Sequence, residues 1–224
     1  MKKILFLFIS FYFGNSSLLG QNITKIDSLG TEMCQSLSKV NNMKTKEKIE
    51  FVFQSHLSAY FDKTKISSQR EADSISTLIY YRLQKNCSVF LDMLGELEEN
   101  KSDWQTLNIK PSSKISKIDY KSFLKGGNYY YKDYNGSIVN VHITEKTWSE
   151  TFDDGTISKL TLISKSDGEF DLKFIESNNE TRKNLSVKGD IYKYGIYEKN
   201  SDGFLIWTST NDNQFLGFKL YKKS

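Results

Sequence analysis

Residues 127–143 read GNYYYKDYNGSIVNVHI. Three tyrosines lead to Asn135-Gly136, and then Val139, Val141 and Ile143 alternate with Asn140 and His142. A period of two sends successive side chains to opposite faces of a strand, and Asn-Gly is the strongest short-range sign of a hairpin turn. The stretch predicts an antiparallel hairpin with one buried face, and it points His142 away from the core.

The same rhythm runs on to Tyr221. Trp148 and Phe152 alternate ahead of Asp153-Asp154-Gly155, Leu160 and Leu162 follow, and Phe170, Leu172 and Phe174 alternate after Asp167-Gly168. Leu185 and Val187, a Gly189-Asp190 turn, then Tyr192, Tyr194 and Tyr197 continue the series. Asp202-Gly203, the run from Phe204 to Trp207, and a last strand over 214–222 complete it. About eight strands linked this way are enough to close a small antiparallel β-barrel, whose interior is either filled by side chains or holds one small ligand. A sandwich fits the same pattern.

Alternation sends Trp148 with Phe152 and Phe170 with Phe174 inward, together with either Phe204 and Ile206 or Leu205 and Trp207, depending on register. Such aromatics fill the barrel or line a pocket. In the pocket reading Tyr129, Tyr131, Tyr192 and Tyr194 supply the few polar contacts and Trp148 and Trp207 stand beside the ligand, so these six are the candidate ligand-binding residues.

Upstream of the strands the period changes. Ile26, Leu29, Met33, Leu37 and Val40 recur at three and four, as on one face of a helix. A second helix is expected over 45–60, with His56 on its packed face. A third follows Ser68 and Glu71, read as a capping box, and carries Ala72, Ile75, Ile79, Leu83, Cys87, Phe90, Leu94 and Leu97, with a break near Asn86. The fold class expected is therefore α+β: about three helices over 21–100, a connection over 101–116 marked by Pro111 and pinned by Trp104, and a barrel domain over 117–224. Residues 115–224 are expected to fold alone.

Residues 1–20 read as a signal peptide, with Lys2 and Lys3 ahead of an apolar run over 4–13 and Gly20 before the cut. The run is too short to span a bilayer comfortably, so no stable membrane insertion is expected, and the protein should reach the periplasm or the extracellular space. In an oxidising compartment Cys34 and Cys87, each on or beside the apolar face of an expected helix, are expected to pair. Losing Lys2 and Lys3 with the leader takes the formal charge from +4 to +2, which leaves no electrostatic footprint for nucleic acid. Two isolated Cys and two isolated His lack zinc spacing, and no phosphate-binding or dinucleotide fingerprint occurs, so no metal site or cofactor is expected. With His56 in a core and His142 on a barrel surface, no base stands ready beside a nucleophile, and no catalytic residue is assigned.

The run FLKGGNYYY over 123–131, opening hairpin-linked strands that continue to the C-terminus, resembles the start of small lipocalin-like domains in exported bacterial proteins of uncharacterised function. Gly127-Asn128-Tyr129 is similar to the glycine-x-tryptophan start of lipocalins, with tyrosine in the place of tryptophan. The resemblance covers roughly the last hundred residues and implies a barrel with a binding role and no catalytic residues. The function expected is an exported, non-enzymatic binding protein for a small apolar or aromatic molecule. A protein-interaction or inhibitor module acting on an exported partner is the first alternative, and a hydrolase using carboxylates the second. An open apolar cavity favours the ligand; a filled barrel with an exposed aromatic patch favours the protein partner.

Overall fold

The computed structural model describes residues 16–97, 99, 101–211 and 214–223. The expected leader lies outside them as far as residue 15, and the expected cut before Gln21 falls within the first helix.

Four helices come first: α1 (Ser16–Lys39), α2 (Thr45–Thr64), α3 (Gln69–Asn86) and α4 (Ser88–Leu97). Ile26, Met33 and Leu37 of α1, Val52 of α2, Ile79 and Leu83 of α3 and Phe90 of α4 meet in one core, as their spacing requires. The third helical stretch is two helices, broken just after Asn86 as the sequence allows, because Cys87 leaves helical geometry at φ −131° and ψ 103°. That residue is tied to α1 by the Cys34–Cys87 disulfide, with Cα atoms 5.7 Å apart and a sequence separation of 53. In the chain-entropy model a loop of this length contributes about 4 kcal/mol. Ser68 stands at the N-cap of α3, but its side chain makes no capping bond, so the expected capping box is not formed. His56 packs between α2 and α1 through a 2.8 Å hydrogen bond with the Ser36 hydroxyl.

The segment expected as a connection does more than connect. It carries a short strand, β1 (Gln105–Leu107), and Trp104, whose ring stacks on Phe218 inside the barrel at 4.4 Å between centroids. After it come α5 (Lys117–Leu124), β2 (Gly127–Lys132), β3 (Ile138–Ile143), β4 (Thr147–Thr151), β5 (Ile157–Ser164) and β6 (Glu169–Ser177). A short helix α6 (Glu180–Leu185) interrupts the meander before β7 (Ile191–Asn200), β8 (Gly203–Asn211) and β9 (Gln214–Lys222). Leu185 and Val187, read as a strand from sequence, belong to α6 and the loop after it. The reason is local: the Asn179 side chain accepts the Arg182 N–H at 3.2 Å and so caps a helix turn.

Strands β2 to β9 pair in sequence order, each antiparallel to the next, and β9 returns to pair with β2 at Tyr129↔Lys222 and Tyr130↔Tyr221. The result is a closed, lipocalin-like up-and-down barrel of eight strands, with β1 added along the free part of the β9 edge at Gln105↔Gly217 to Leu107↔Phe215. At the β5–β6 hairpin Asp167 and Gly168 take φ of 56° and 83°, the left-handed pair that a tight two-residue turn demands.

One end of the barrel is shut. Phe123 of α5 is 0% exposed and packs against the rings of Tyr129, Phe170 and Phe204, with centroids 6.0, 5.4 and 5.2 Å away. The other end lies under the helices. There Arg82 of α3, 3% exposed, donates two 2.7 Å bonds to Asp27 of α1, one of 2.8 Å to Asp190 beyond α6, and one of 3.0 Å to the Leu185 carbonyl. Lys85 reaches the same Asp190 oxygen at 2.7 Å. Among the described residues no helix is long and apolar enough to cross a membrane.

Candidate binding cavity

Between the open end of the barrel and the helices lies a cavity of about 620 Å³. Its floor is aromatic. Trp148 of β4 and Tyr194 of β7 face each other at 6.2 Å between ring centroids, and both rest on Phe170, which stands beneath at 6.2 and 5.4 Å. Tyr131, Phe218 and Trp104 build one wall, with centroids 4.4 to 6.1 Å apart. Leu160 and Phe174 build the opposite side, while Leu91 and Leu94 of α4 and Leu185 of α6 close over the top. The strand alternation explains the aromatic side of this list, since each contributing residue has the inward parity of its strand.

Within this apolar shell sits a connected polar group. Glu150, two residues after Trp148 and on the same face of β4, accepts the Tyr131 hydroxyl at 3.0 Å and the Trp148 indole N–H at 3.3 Å, both on one carboxylate oxygen. Arg182 of α6 donates to the Tyr131 hydroxyl at 3.0 Å; it stands 3.7 Å from the second Glu150 oxygen and 3.6 Å from Asp133. Its guanidinium also covers the Phe152 ring at 5.4 Å. The side chains are 12% exposed for Glu150 and 20% for Arg182. On the far wall the Tyr192 and Ser186 hydroxyls share a hydrogen bond of 2.5 Å.

Burial governs the ionisation of these phenols. It pushes Tyr131 well above the ordinary tyrosine range, with the positive charge of Arg182 opposing and the negative charge of Glu150 reinforcing. Tyr194 rises to about 12, first from burial and then from the Glu150 charge. Tyr192 is raised as well, again chiefly by burial. All three hydroxyls are neutral donors and acceptors near neutral pH.

Of the six candidates named from sequence, Tyr131, Trp148, Tyr192 and Tyr194 meet in this cavity. Two do not. Tyr129 lies at the shut end, against Phe123 and Phe204. Trp207 has the outward parity of β8: the inward pair is Phe204 and Ile206, and the indole lies flat over Gly195, close enough that a Cβ there would stand 2.4 Å from its Nε1. Lys110 and Phe215 cover the outer side of that ring.

Two principal polar residues, Glu150 and Arg182, were not anticipated. For Glu150 the signal was present, since the alternation that sends Trp148 and Phe152 inward sends the residue between them inward too. For Arg182 the only signal was Asn179 followed by Glu180, a helix start just ahead of Leu185 and Val187, which read as strand.

Comparison of the chain with protein-family models, with curated proteins and with solved structures returns no match.

Proposed function

We propose that this is an exported, non-enzymatic binding protein whose barrel holds one small molecule with an apolar or aromatic body. The observation that carries the reading is the cavity itself. About 620 Å³ falls in the range of small-molecule sites, and the walls combine aromatic and aliphatic surface with a few convergent polar groups. A barrel filled to its mouth would have favoured a protein partner instead. The Cys34–Cys87 bridge supports export, because structural disulfides persist in oxidising compartments.

Tryptophan emission tests the proposal. Trp148 forms the cavity floor and Trp104 part of its wall, whereas Trp207 lies outside the barrel, so W207F removes the uninformative reporter. Titration with fatty acids, aromatic acids, aromatic amines and tetrapyrroles should give a saturable change with at least one class. A flat response to all of them, with a Leu160→Trp variant that narrows the cavity behaving identically, would leave the partner-binding reading ahead.

A further inference from the structure

The aromatic lining and the charges around it do not call for the same ligand as a plain hydrophobic pocket. Among the described residues the cavity is lined by four carboxylates, Asp92, Glu96, Asp133 and Glu150, and by two cations, Lys85 and Arg182. Lys85 is already held by Asp190, a fifth carboxylate, at 2.7 Å. Arg182 stands between Glu150 and Asp133, so that group of three carries one net negative charge before any ligand arrives.

The two ends of the group differ in what they can still accept. One oxygen of Glu150 takes both the Tyr131 and Trp148 donors, while the other stands 3.7 Å from Arg182 Nε, an ion-pair distance beyond hydrogen-bond length. That oxygen keeps acceptor capacity on the cavity side of the group. Aromatic rings stand around it: Trp148 and Tyr131 turn their N–H and O–H edges to the same carboxylate, and Tyr194 and Phe218 lie one ring further. A cation at that oxygen is attracted by the carboxylate, and wherever it also overlies a ring of the lining by that ring's quadrupole; both attractions strengthen as water leaves. An anion meets the reverse situation. It would be the third carboxylate around one guanidinium, in a pocket whose fixed charge already repels it.

Resting on the binding-protein reading above, we infer that the ligand is an organic amine: an apolar or aromatic body lying against Trp148, Tyr194 and Leu160, with its ammonium directed at the second oxygen of Glu150. Arg182 then serves to hold Glu150 and Tyr131 in place rather than to contact the charged end of the ligand.

Three probes of matched body separate the possibilities by titration calorimetry on the intact protein: 2-(1-naphthyl)ethylamine, 2-(1-naphthyl)ethanol and 1-naphthylacetate. The amine should bind at least tenfold more tightly than the alcohol, a difference of about 1.4 kcal/mol, and the carboxylate more weakly than either. In E150Q the amide oxygen can still accept from Tyr131 and Trp148, so the melting temperature should hold while the preference for the amine over the alcohol disappears. D133N should reduce that preference less. An amine that binds no better than the alcohol, or a carboxylate that binds best, overturns the inference and leaves the binding-protein reading standing. Failure of all three to bind also overturns the inference, and the wider binding reading is then decided by the four-class tryptophan titration.

Discussion

Arg82 of α3 and Asp190 of the turn before β7 stand 2.8 Å apart, and through this pair the helical layer is fastened to the barrel. The same guanidinium grips Asp27 of α1 with two bonds and the Leu185 carbonyl with a fourth. Removing this nearly buried guanidinium leaves Asp27 without its ion pair and Asp190 with Lys85 alone, which is worse than never having built the cluster. R82M should therefore lower stability by about 3 kcal/mol in urea unfolding, the lower end of what breaking a buried pair costs. R82K should recover little, because an ammonium has no planar fork with which to bridge two carboxylates and a carbonyl at once.

The carboxylate side of this cluster gives the molecule an acid limit. Burial works against the Asp190 charge, but hydrogen bonds from Lys85, the Val187 N–H and Arg82 outweigh it and hold the carboxyl below its ordinary range. A folded-state pKa below the unfolded one contributes stability that is complete above about pH 4 and is lost as pH falls through the depressed value. Urea midpoints measured from pH 6 down to pH 3 should fall for the native sequence. In D190N, already weaker at pH 6, the same descent should be shallower, and parallel curves would remove Asp190 from the account.

The architecture was legible in the sequence where one face of each element meets one environment. Alternation in β2 to β9 and the three-four spacing in α1 to α4 are direct consequences of burying a single face, and the turns between strands carried Asn-Gly and Asp-Gly where left-handed backbone is needed. Legibility failed where a residue answers to two environments. Trp207 is as large and apolar as any core residue, yet it faces outward, because Gly195 leaves a flat shelf for the indole and the segment after β1 covers it. Trp104 and β1 sit in a stretch of connecting composition and become part of the sheet only because β2 leaves most of the β9 edge unpaired. Glu150 was passed over because a carboxylate inside a barrel contradicts composition while obeying parity.

The disulfide should be the largest single covalent contribution to the helical layer. Cys34 and Cys87 join α1 to the break between α3 and α4, so a C34S/C87S variant should lose about 4 kcal/mol if the loop entropy is fully expressed. Guanidinium unfolding compared with and without reductant measures it. A reductant-insensitive midpoint in the native sequence would sink the assignment, and labelling of two thiols in the denatured, unreduced protein would do so independently.

At the alkaline end the cavity phenols should set the limit. Tyr194 ionises at about 12 in the folded protein, through burial and the Glu150 charge, whereas an unfolded tyrosine ionises at about 10. The folded state keeps its proton where the unfolded state gives it up, so stability is complete below about pH 10 and declines as pH rises through the folded value. Absorbance at the phenolate band should accordingly include a second, late stage from the cavity tyrosines that appears only with unfolding. In Y194F the second stage should shrink by one residue.

The final prediction concerns which part of the chain completes the barrel. A fragment over 115–224 contains all eight barrel strands and the α5 plug, but it lacks Trp104, whose indole N–H bonds the Lys132 carbonyl at 2.8 Å and whose ring stacks on Phe218. It also lacks β1, leaving the β9 edge bare where Phe215 to Gly217 were paired. A longer fragment over 101–224 keeps both. Bare edges invite pairing with another chain, and a lost aromatic wall leaves a void that costs about 3 kcal/mol or more. The shorter fragment should therefore melt lower and associate with rising concentration, while the longer one should be monomeric with dispersed amide signals. Neither has α4, so Leu91 and Leu94 no longer close the cavity. The longer fragment should fold yet bind the amine probe of the native protein at least tenfold more weakly, and full retention of affinity would mean that the helical layer takes no part in holding the ligand.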